Sequence, residues 1–321
     1  MEISVIITSW NTQSLLLECI ESVFNETRLR SVEVIVVDNG STDGTPEAVR
    51  ENFPDVKLVC NNGNIGFAKA NNIGLQLSTG RYLCLVNSDV RILKGCLDDL
   101  CDYLDQNQSV GIVGPRVLNS DLTVQHTCRR FPTLWSAFCC AVGLDRIFPR
   151  SYRHGEARLF YAYDEICEVE VLTGCFLMVK REAFSQVGLL NEVFFFYGED
   201  LDWCKRFWNA GWKIVFFPNC QAIHHGRASS SHEPVRFAIE EDRANLQYWK
   251  EHNNRLSRYV LLCIIFLHHA IRIGHGLFSY FLKRPKSGVV MQEMKKNISC
   301  IRWLLSSQIG NTQAEISGWQ R

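Results

Sequence analysis

Acidic and amide side chains follow short apolar runs in this sequence, at positions where they suit metal-ion and proton-transfer chemistry. The tripeptide Asn87-Ser88-Asp89 ends the apolar run Tyr82 to Val86. A carboxylate at the carboxyl end of a buried strand can hold a hard divalent cation, and such a cation neutralises a diphosphate. The alternative is that Asp89 only caps the helix predicted around Gly95 to Leu104.

A second acidic pair, Glu199-Asp200, stands at the start of a predicted helix, directly after the aromatic run Phe194 to Tyr197 and Gly198. N–H donors at a helix start keep a carboxylate ionised and oriented, as a general base requires. Helix capping alone would also favour an acidic residue there, so both roles stay open for Asp200.

Two adjacent histidines, His224 and His225, come after the predicted strand Lys213 to Phe217. A histidine beyond a strand can be structural or a ligand. The adjacent pair favours the second role, because the loop after this strand should lie near the site. Gly174, inside the apolar segment Val169 to Val179, allows the backbone to approach a ligand closely.

The composition indicates a globular chain without a global attraction for nucleic acid. The 321 residues are 46% hydrophobic, and 34 Lys and Arg balance 34 Asp and Glu. This length suits one large domain or one and a half. No nucleic-acid-binding motif is present, so we expect no nucleic acid partner.

The fourteen cysteines lie mostly inside apolar strand or helix patterns, without a CxxC pair, and no signal peptide precedes Ile3. We therefore expect reduced, buried thiols. Cys139-Cys140 is the one adjacent pair, and no second Cys or His pair lies at zinc-ligand spacing. The sequence thus favours no metal site there.

Four strand-length apolar runs alternate with helical patterns in the first third of the chain. They are Ile3 to Thr8, Val32 to Val37, Val56 to Cys60 and the run that ends at Asn87. Each ends in small, amide or acidic residues. This order predicts an α/β fold with a right-handed, mostly parallel, doubly wound sheet flanked by helices. GxGxxG and Walker sequences are both missing, so a nucleotide would have to bind without those phosphate loops.

The stretch Asn119 to Tyr163 mixes basic, aromatic and proline residues. We expect a long loop or helical insertion near the site. Such excursions in a compact domain are usually lids or binding loops, and the alternative is an insertion that only packs on the surface.

From Arg255 the chain becomes apolar and basic, with nine consecutive apolar residues from Tyr259 to Leu267. The uninterrupted run is too short to span a bilayer core of roughly 30 Å, so we expect a helix over Tyr259 to Phe281 that lies in the membrane interface. The alternative is a helix packed on the catalytic core or on a second subunit. Five cations would meet anionic lipid: Arg255, Arg258, Lys283, Arg284 and Lys286.

Six motifs in a fixed order carry a family resemblance. They are SVIITSWN, VIVVDNGSTDG, NxGFAxANNxG, NSD, TGCFLMVKREAF and FFYGEDLDWCKR, and the resemblance covers about residues 3 to 230. Together they resemble an inverting glycosyltransferase of family 2 with the GT-A fold, of the rhamnosyltransferase-like branch. The resemblance implies a catalytic domain over 1–230, a C-terminal helical region over 231–321, a nucleotide-sugar donor, a glycan or lipid-linked acceptor, and Mg²⁺ or Mn²⁺ as cofactor. A peripheral location on the cytoplasmic face of the cell membrane would suit such an acceptor.

The resemblance also implies roles for individual residues. Asp38 would hydrogen-bond the base, and Asn39 and Ser41 would support its loop. Asp200 would be the general base, with Glu199 beside it. Metal ligation is implied for Asp89 and His224. Acceptor contacts are implied for Gly174, Tyr197 and Trp203, and the aromatic run Phe194 to Tyr197 and Trp203 could stack on the sugar rings of the acceptor. Donor contacts are implied for Thr8, Trp10, Asn11, Asp38, Asn39, Ser41, Gly66, Phe67, Asn71, Asn87 and Ser88. Asn87 replaces the first Asp of the family's DxD motif, which leaves Asp89 as the one carboxylate there.

Two other functions stay open at this stage. One is a non-catalytic nucleotide or glycan binding module with the same fold, and Asp38, Asp89 and Asp200 together favour an enzyme over it. The other is a nucleotidyltransferase, which should have glycine and a basic residue after the first strand, where SWNTQS has neither. The motifs specify neither the donor sugar nor the oligomeric state.

Overall fold

The structure, a computed structural model, describes residues 1–156, 158–226, 234–283 and 287–308. Arg284 and Lys286, two of the cations expected at anionic lipid, lie outside these ranges. The chain divides into two compact units. The first comprises Met1–Phe131, Tyr161–Phe195 and Glu199–Ser229, and the second comprises Pro132–Phe160, Phe196–Gly198 and Ser230–Arg321. This division differs from the expected one because 132–160 and 196–198 group with the C-terminal helices.

The strands and helices alternate through most of the chain. The strands are β1 (Ile3–Ser9), β2 (Val32–Asp38), β3 (Lys57–Cys60), β4 (Tyr82–Asn87), β5 (Val90–Ile92), β6 (Val110–Leu118), β7 (Cys128–Arg129), β8 (Cys167–Glu168), β9 (Val171–Leu172), β10 (Phe176–Lys180) and β11 (Lys213–His224). The helices are α1 (Gln13–Glu26), α2 (Thr45–Asn52), α3 (Phe67–Leu77), α4 (Cys96–Gln106), α5 (Leu134–Val142), α6 (Leu144–Ile147), α7 (Arg181–Val187), α8 (Glu199–Asn209), α9 (Pro234–His252), α10 (Arg255–Lys283) and α11 (Ser287–Gln308).

A mixed sheet is the centre of the first unit. Of the described strands, nine form this sheet in the order β3-β2-β1-β4-β10-β6-β11-β5, with β8 beside β11. Strands β3, β2, β1 and β4 pair in parallel, so their carboxyl ends share one edge. Strand β10 is antiparallel to both β4 and β6. The α/β fold is as expected, while the parallel pairing is concentrated in the first four strands and the β6–β11 pair.

Strands β1 and β4 form the buried middle of the parallel half. Val5, Ile6 and Ile7 on β1 and Leu83 and Cys84 on β4 are completely buried on both faces. Such strands need helices on both sides of the sheet, which explains their unbroken apolar runs. Helix α3 lies so close to β1 that a Cβ atom at Gly74 would be 2.3 Å from the Ile6 side chain.

The segment Val169 to Val179, expected as one element, is divided into β9 and β10. Between these strands the backbone N–H of Thr173 donates to the Thr127 carbonyl, and the N–H of Gly174 donates to the Asp200 carboxylate. Here the chain passes from the two-stranded β7–β9 sheet into the central sheet, and Gly174 lies at the start of α8.

Strand β11 extends seven residues beyond the expected end at Phe217, to His224. Its pairing with β6 is interrupted between Phe217 and Gln221 and then resumes. Beyond the interruption β11 also pairs antiparallel with β5, which sets His224 opposite Val90. His224 therefore lies on a strand rather than in the loop that the sequence indicated.

The second unit is helical. Helix α10 packs against α5, α9 and α11. It is one continuous helix of 29 residues, about 44 Å long at 1.5 Å per residue. Within it, Arg255–Tyr280 is long and apolar enough to cross a membrane by length and composition, with a mean hydropathy of 1.6. The nine-residue apolar run that the sequence singled out is therefore one part of a longer helix, because the histidines and glycines after Leu267 continue it.

Candidate active site

Two donor atoms for a metal ion lie together at the edge of the sheet. The Oδ1 atom of Asp89 is 3.1 Å from Nε2 of His224, and both side chains are largely buried. The other ring nitrogen, Nδ1, is 2.7 Å from Oε1 of Gln125. The amide nitrogen of Gln125 donates to Asn119, so its oxygen faces the histidine. Nδ1–H then donates to Gln125, and Nε2 faces Asp89.

The surroundings of Asp89 keep its carboxylate anionic at neutral pH. Burial would raise the pKa of Asp89, but the hydrogen bond and charge of His224 and two backbone N–H groups lower it below its usual value. Ligand distances of about 2.0–2.2 Å set adjacent donors on one ion roughly 3 Å apart. The observed separation and the O/N donor types fit a divalent cation.

Three buried polar atoms at the ends of adjacent parallel strands lack hydrogen-bond partners within the described ranges. They are Oγ1 of Thr8, Oδ1 of Asp38 and Oδ1 of Asn87. Thr8 pairs in register with Asn87, and the next residue on β1 pairs with Asp38. Buried polar atoms are normally satisfied, so this group indicates a place for a polar ligand.

The loop after β2 holds Asp38 in a defined orientation. Its Oδ2 accepts hydrogen bonds from the N–H groups of Gly40 and Ser41. The second oxygen, Oδ1, is thereby left for a ligand. Ser41 also accepts a hydrogen bond from the backbone N–H of Asn11 at 2.9 Å, and the Asn11 side chain accepts one from Thr42 at 2.8 Å. Asn11 and Ser41 thus connect the loops that follow β1 and β2.

Asn39 connects the β2 loop to the segment before α3. Its amide nitrogen donates to the Gly66 carbonyl at 3.2 Å, and its oxygen accepts from Asn61 at 3.0 Å. Trp10, on the neighbouring loop, is half-buried and keeps part of its ring accessible.

Gly66, Phe67 and Asn71 belong to the start of α3. Gly66 has a φ of +94°, and a Cβ atom there would lie 2.8 Å from the Phe195 carbonyl oxygen. The N–H of Phe67 donates to the same carbonyl at 2.8 Å, and Asn71 donates to the Phe67 carbonyl. The start of α3 is therefore fixed to the chain just before α8. Ser88 is likewise held, since its hydroxyl accepts a hydrogen bond from Thr12.

Asp200 is bound by three N–H donors at the start of α8. Its Oδ1 accepts from the Leu201 N–H at 2.7 Å, and its Oδ2 accepts from the Gly174 N–H at 3.0 Å. The third donor is Nη2 of Arg129 on β7, 2.9 Å from Oδ2. Gly174 allows this close approach, because a Cβ atom there would lie 3.2 Å from the Cβ of Asp200, a tight contact.

Glu199 differs sharply from its neighbour. Burial and the negative charge of Asp200 raise the pKa of Glu199 to about 8. Its Oε2 is buried and accepts no hydrogen bond in the part of the chain that the structure describes. Glu199 therefore retains its proton at neutral pH, while Asp200 forms the ion pair with Arg129.

Comparison with known proteins identifies the family. The family model for glycosyl transferase family 2 matches residues 4–188. The chain belongs to glycosyl transferase family 2. It is 32% identical over 217 residues to the N-acetylglucosaminyl-diphospho-decaprenol L-rhamnosyltransferase of Mycobacterium tuberculosis, which covers 64% of this chain and 70% of that protein. It is 25% identical over 225 residues to the dTDP-rhamnosyl transferase RfbF of Shigella flexneri, covering 69% and 68%.

Solved structures confirm the expected fold of this family 2 glycosyltransferase. The mannosyltransferase PcManGT from Pyrobaculum calidifontis, solved with GDP-Man and Mn²⁺, aligns with a TM-score of 0.53 at 16% identity, over 97% of this chain and 88% of that one. TarS from S. aureus aligns with a TM-score of 0.50 at 15% identity, over 93% and 89%. The predicted family, its rhamnosyltransferase-like relatives and the GT-A fold are thus confirmed.

The expected acceptor residues Trp203 and Tyr197 of this glycosyltransferase differ in their exposure. Trp203 is completely buried, and its indole N–H donates to the Gly188 carbonyl at 2.9 Å. Its ring has no face open to a sugar, so the prediction of stacking by Trp203 was wrong. Tyr197 belongs to the second unit, is 38% exposed and packs beside Phe196 and Phe237.

Sequence reasoning missed two residues that contact the expected site. Gln125 sets the orientation of His224, and Arg129 pairs with Asp200. Both come from the insertion Asn119 to Tyr163, whose basic and aromatic composition was the available signal. Neither residue belongs to one of the six motifs, and their partners lie 99 and 71 residues away in the sequence.

Proposed function

We propose that the chain transfers rhamnose or a hexose, with inversion, from a nucleotide-diphosphate sugar to a glycan or lipid-linked acceptor during cell-surface polysaccharide synthesis. The observation that carries this proposal is the group of buried oxygens at Thr8, Asp38 and Asn87, which have no hydrogen-bond partner among the described residues, beside the Asp89–His224 pair. The printed names of two relatives, a rhamnosyltransferase acting at a diphospho-decaprenol sugar and a dTDP-rhamnosyl transferase, support the donor and acceptor classes.

In this proposal Asp89 and His224 hold Mg²⁺ or Mn²⁺. The bound cation supplies charge neutralisation for the departing nucleoside diphosphate. The Mn²⁺ in the solved mannosyltransferase supports a divalent ion in this family. Oδ1 of Asp38 accepts a hydrogen bond from the base, and the Thr8 hydroxyl and the Asn87 amide oxygen bind polar groups of the donor.

Asp200 is the proposed general base. A single displacement with inversion needs one group to accept the proton of the acceptor hydroxyl. Glu199 holds its own proton at neutral pH because its pKa is raised to about 8. Asp202 is committed to Arg206 at 2.8 Å and is buried. The carboxylate of Asp200, oriented by Gly174 and Arg129, is therefore the one best suited to receive the proton.

We also propose that the second unit binds the cytoplasmic face of a membrane without crossing it. Only 22% of the apolar window of α10 is buried. Its exposed apolar side chains include Leu256, Tyr259, Val260, Phe266, Leu267, Ile271, Leu277, Phe278 and Tyr280. Such a face can enter the interface while Arg255 and Arg258 meet anionic headgroups.

The middle of α10 argues against a span. His269 is buried against Asp242 of α9, 2.8 Å away. A crossing α10 would take this polar pair into the hydrocarbon core or break it, and ionisable groups there cost several kcal/mol. High salt or carbonate should therefore release the protein from membranes. A C-terminal tag accessible only from the far side, with full resistance to carbonate, would contradict peripheral binding.

A donor panel tests the proposed function. The purified protein would be incubated with dTDP-, UDP- and GDP-sugars, Mn²⁺ and a membrane-extracted lipid acceptor, with products identified by mass spectrometry. We expect transfer from one donor class, release of the nucleoside diphosphate and inverted anomeric configuration. Tight binding of a nucleotide without transfer from any donor would favour the non-catalytic module instead.

A further inference from the structure

A second group of metal-ligand side chains lies inside the helical unit, and each comes from a different helix. Asp242 is on α9, His269 is on α10 and Cys300 is on α11. Their ligand atoms all lie within 4.8 Å of one another. His269 is 5% exposed and Cys300 is completely buried, so the group is shielded from solvent.

Hydrogen bonds hold the imidazole of His269 in one orientation. Its Nδ1 is 2.8 Å from Oδ1 of Asn297, and its Nε2 is 2.8 Å from Oδ2 of Asp242. The amide nitrogen of Asn297 donates to the Glu293 carbonyl at 2.7 Å, which turns the Asn297 oxygen towards the histidine. Nδ1–H therefore donates to Asn297, and Nε2 is directed at Asp242.

We propose that Asp242, His269 and Cys300 bind a transition-metal cation of the Zn²⁺ class, which joins α9, α10 and α11. Zinc takes carboxylate oxygen, imidazole nitrogen and thiolate sulfur, the three donor types present. An outer hydrogen bond from the second ring nitrogen, here to Asn297, is the usual companion of a metal-bound histidine.

The charges and protons balance in this site. In the metal-free arrangement Oδ2 of Asp242 is 2.8 Å from Nε2 of His269, and the Sγ atom of Cys300 lies within 4.8 Å of a ligand atom of each. A divalent cation would take the place of the proton between Asp242 and His269 and of the thiol proton, releasing both to solvent. One carboxylate and one thiolate then neutralise the two positive charges.

The thiolate ligand gives this site a different metal preference from that of the proposed catalytic site. Asp89 and His224 offer oxygen and nitrogen, which suit Mg²⁺ or Mn²⁺, whereas sulfur favours Zn²⁺ or Co²⁺. The alternative for the helical cluster is a metal-free ion pair between Asp242 and His269, to which Cys300 contributes no ligand.

Cobalt binding distinguishes the proposed metal site from the metal-free ion pair. The full chain carrying Asp89→Ala would be stripped with a chelator and titrated with Co²⁺, so that the strand-edge site makes no contribution. We expect one Co²⁺ per chain and a thiolate-to-cobalt charge-transfer band. Cys300→Ser should lose the band, while the matched control Cys263→Ser, a change at an exposed cysteine on α10, should keep it.

Asn297→Ala supplies a second measurement, because it leaves all three ligands in place. Loss of its hydrogen bond to His269 should weaken Co²⁺ affinity about 10- to 100-fold. Circular dichroism would check that each variant keeps its helix content. Absence of the band in the Asp89→Ala protein, or its persistence in Cys300→Ser, would overturn the proposal and leave the metal-free ion pair.

Discussion

Replacing Asp200 with asparagine removes the proposed proton acceptor while preserving nearly the same shape. The carboxylate accepts three N–H donors on two oxygens, from Leu201, Gly174 and Arg129. An amide has one oxygen, so at least one of these donors would face an NH₂ group. A buried donor left without an acceptor costs about 1–3 kcal/mol, so the variant should unfold at a lower temperature than the wild type.

The effect on catalysis should be larger and separable from this stability cost. Losing a positioned general base lowers the rate by at least ~10²-fold. We therefore expect kcat of Asp200→Asn to fall by this amount at saturating donor and acceptor. The affinity for a nucleoside diphosphate, measured calorimetrically with Mn²⁺, should stay near the wild-type value. Asp200 is not one of the residues at the ends of β1, β2 and β4 that are proposed to bind the nucleotide sugar.

Asp202→Asn is the matched control, two residues along the same helix. It loses an ion pair to Arg206 and should also lower the unfolding temperature. It should keep most of the turnover, because Asp202 is not placed at the proposed reaction centre. If Asp200→Asn retained most of its kcat, or if both variants lost turnover equally, the assignment of Asp200 as the base would be refuted.

Three further predictions address the metal, the proton and the membrane. Asp89→Ala should abolish Mn²⁺-dependent binding of a nucleoside diphosphate in calorimetry, and unchanged metal dependence would contradict the site. Glu199 has an ordinary pKa of 4.5 and a folded pKa of about 8. Its contribution to the free energy of unfolding is therefore fully present below the lower value and is lost as the pH rises through the higher one. The unfolding temperature of Glu199→Gln should thus depend less on pH across that window, and an identical profile would contradict the buried proton. Phe278→Glu, on the exposed face of α10, should weaken sedimentation with anionic vesicles more than Val289→Glu on α11, two residues that are 65% and 72% exposed; equal effects would indicate another contact surface.

The parallel half of the fold was predictable because its strands are continuous apolar runs. Residues buried on both faces leave no polar positions, and this pattern located β1, β2 and β4 to within a residue or two. The strand ends then placed Thr8, Asp38 and Asn87 at one edge. Parallel strands always bring their carboxyl ends together, so no long-range information was required.

The contacts that set protonation and orientation were not predictable. The partner of Asp200 comes from β7, a strand of two residues without a detectable pattern. The raised pKa of Glu199 depends on complete burial, which a charged residue at a helix start does not suggest. Trp203 was misjudged for the same reason, since the sequence does not distinguish the buried face of α8 from an open one.

The interruption in β11 has a practical consequence for engineering this chain. Residues 222 and 223 pair on both flanks, with β6 and with β5, and His224 pairs with β5, whereas the three residues 218–220 have no paired counterpart on β6. Chimeras that exchange C-terminal regions between relatives should therefore place their crossover within 218–220, where a change in length can be absorbed. A crossover that inserts one extra residue inside 221–224 would shift the pairing of β11 with β5. A different side chain would then lie opposite Val90, and the imidazole of His224 would move away from Asp89.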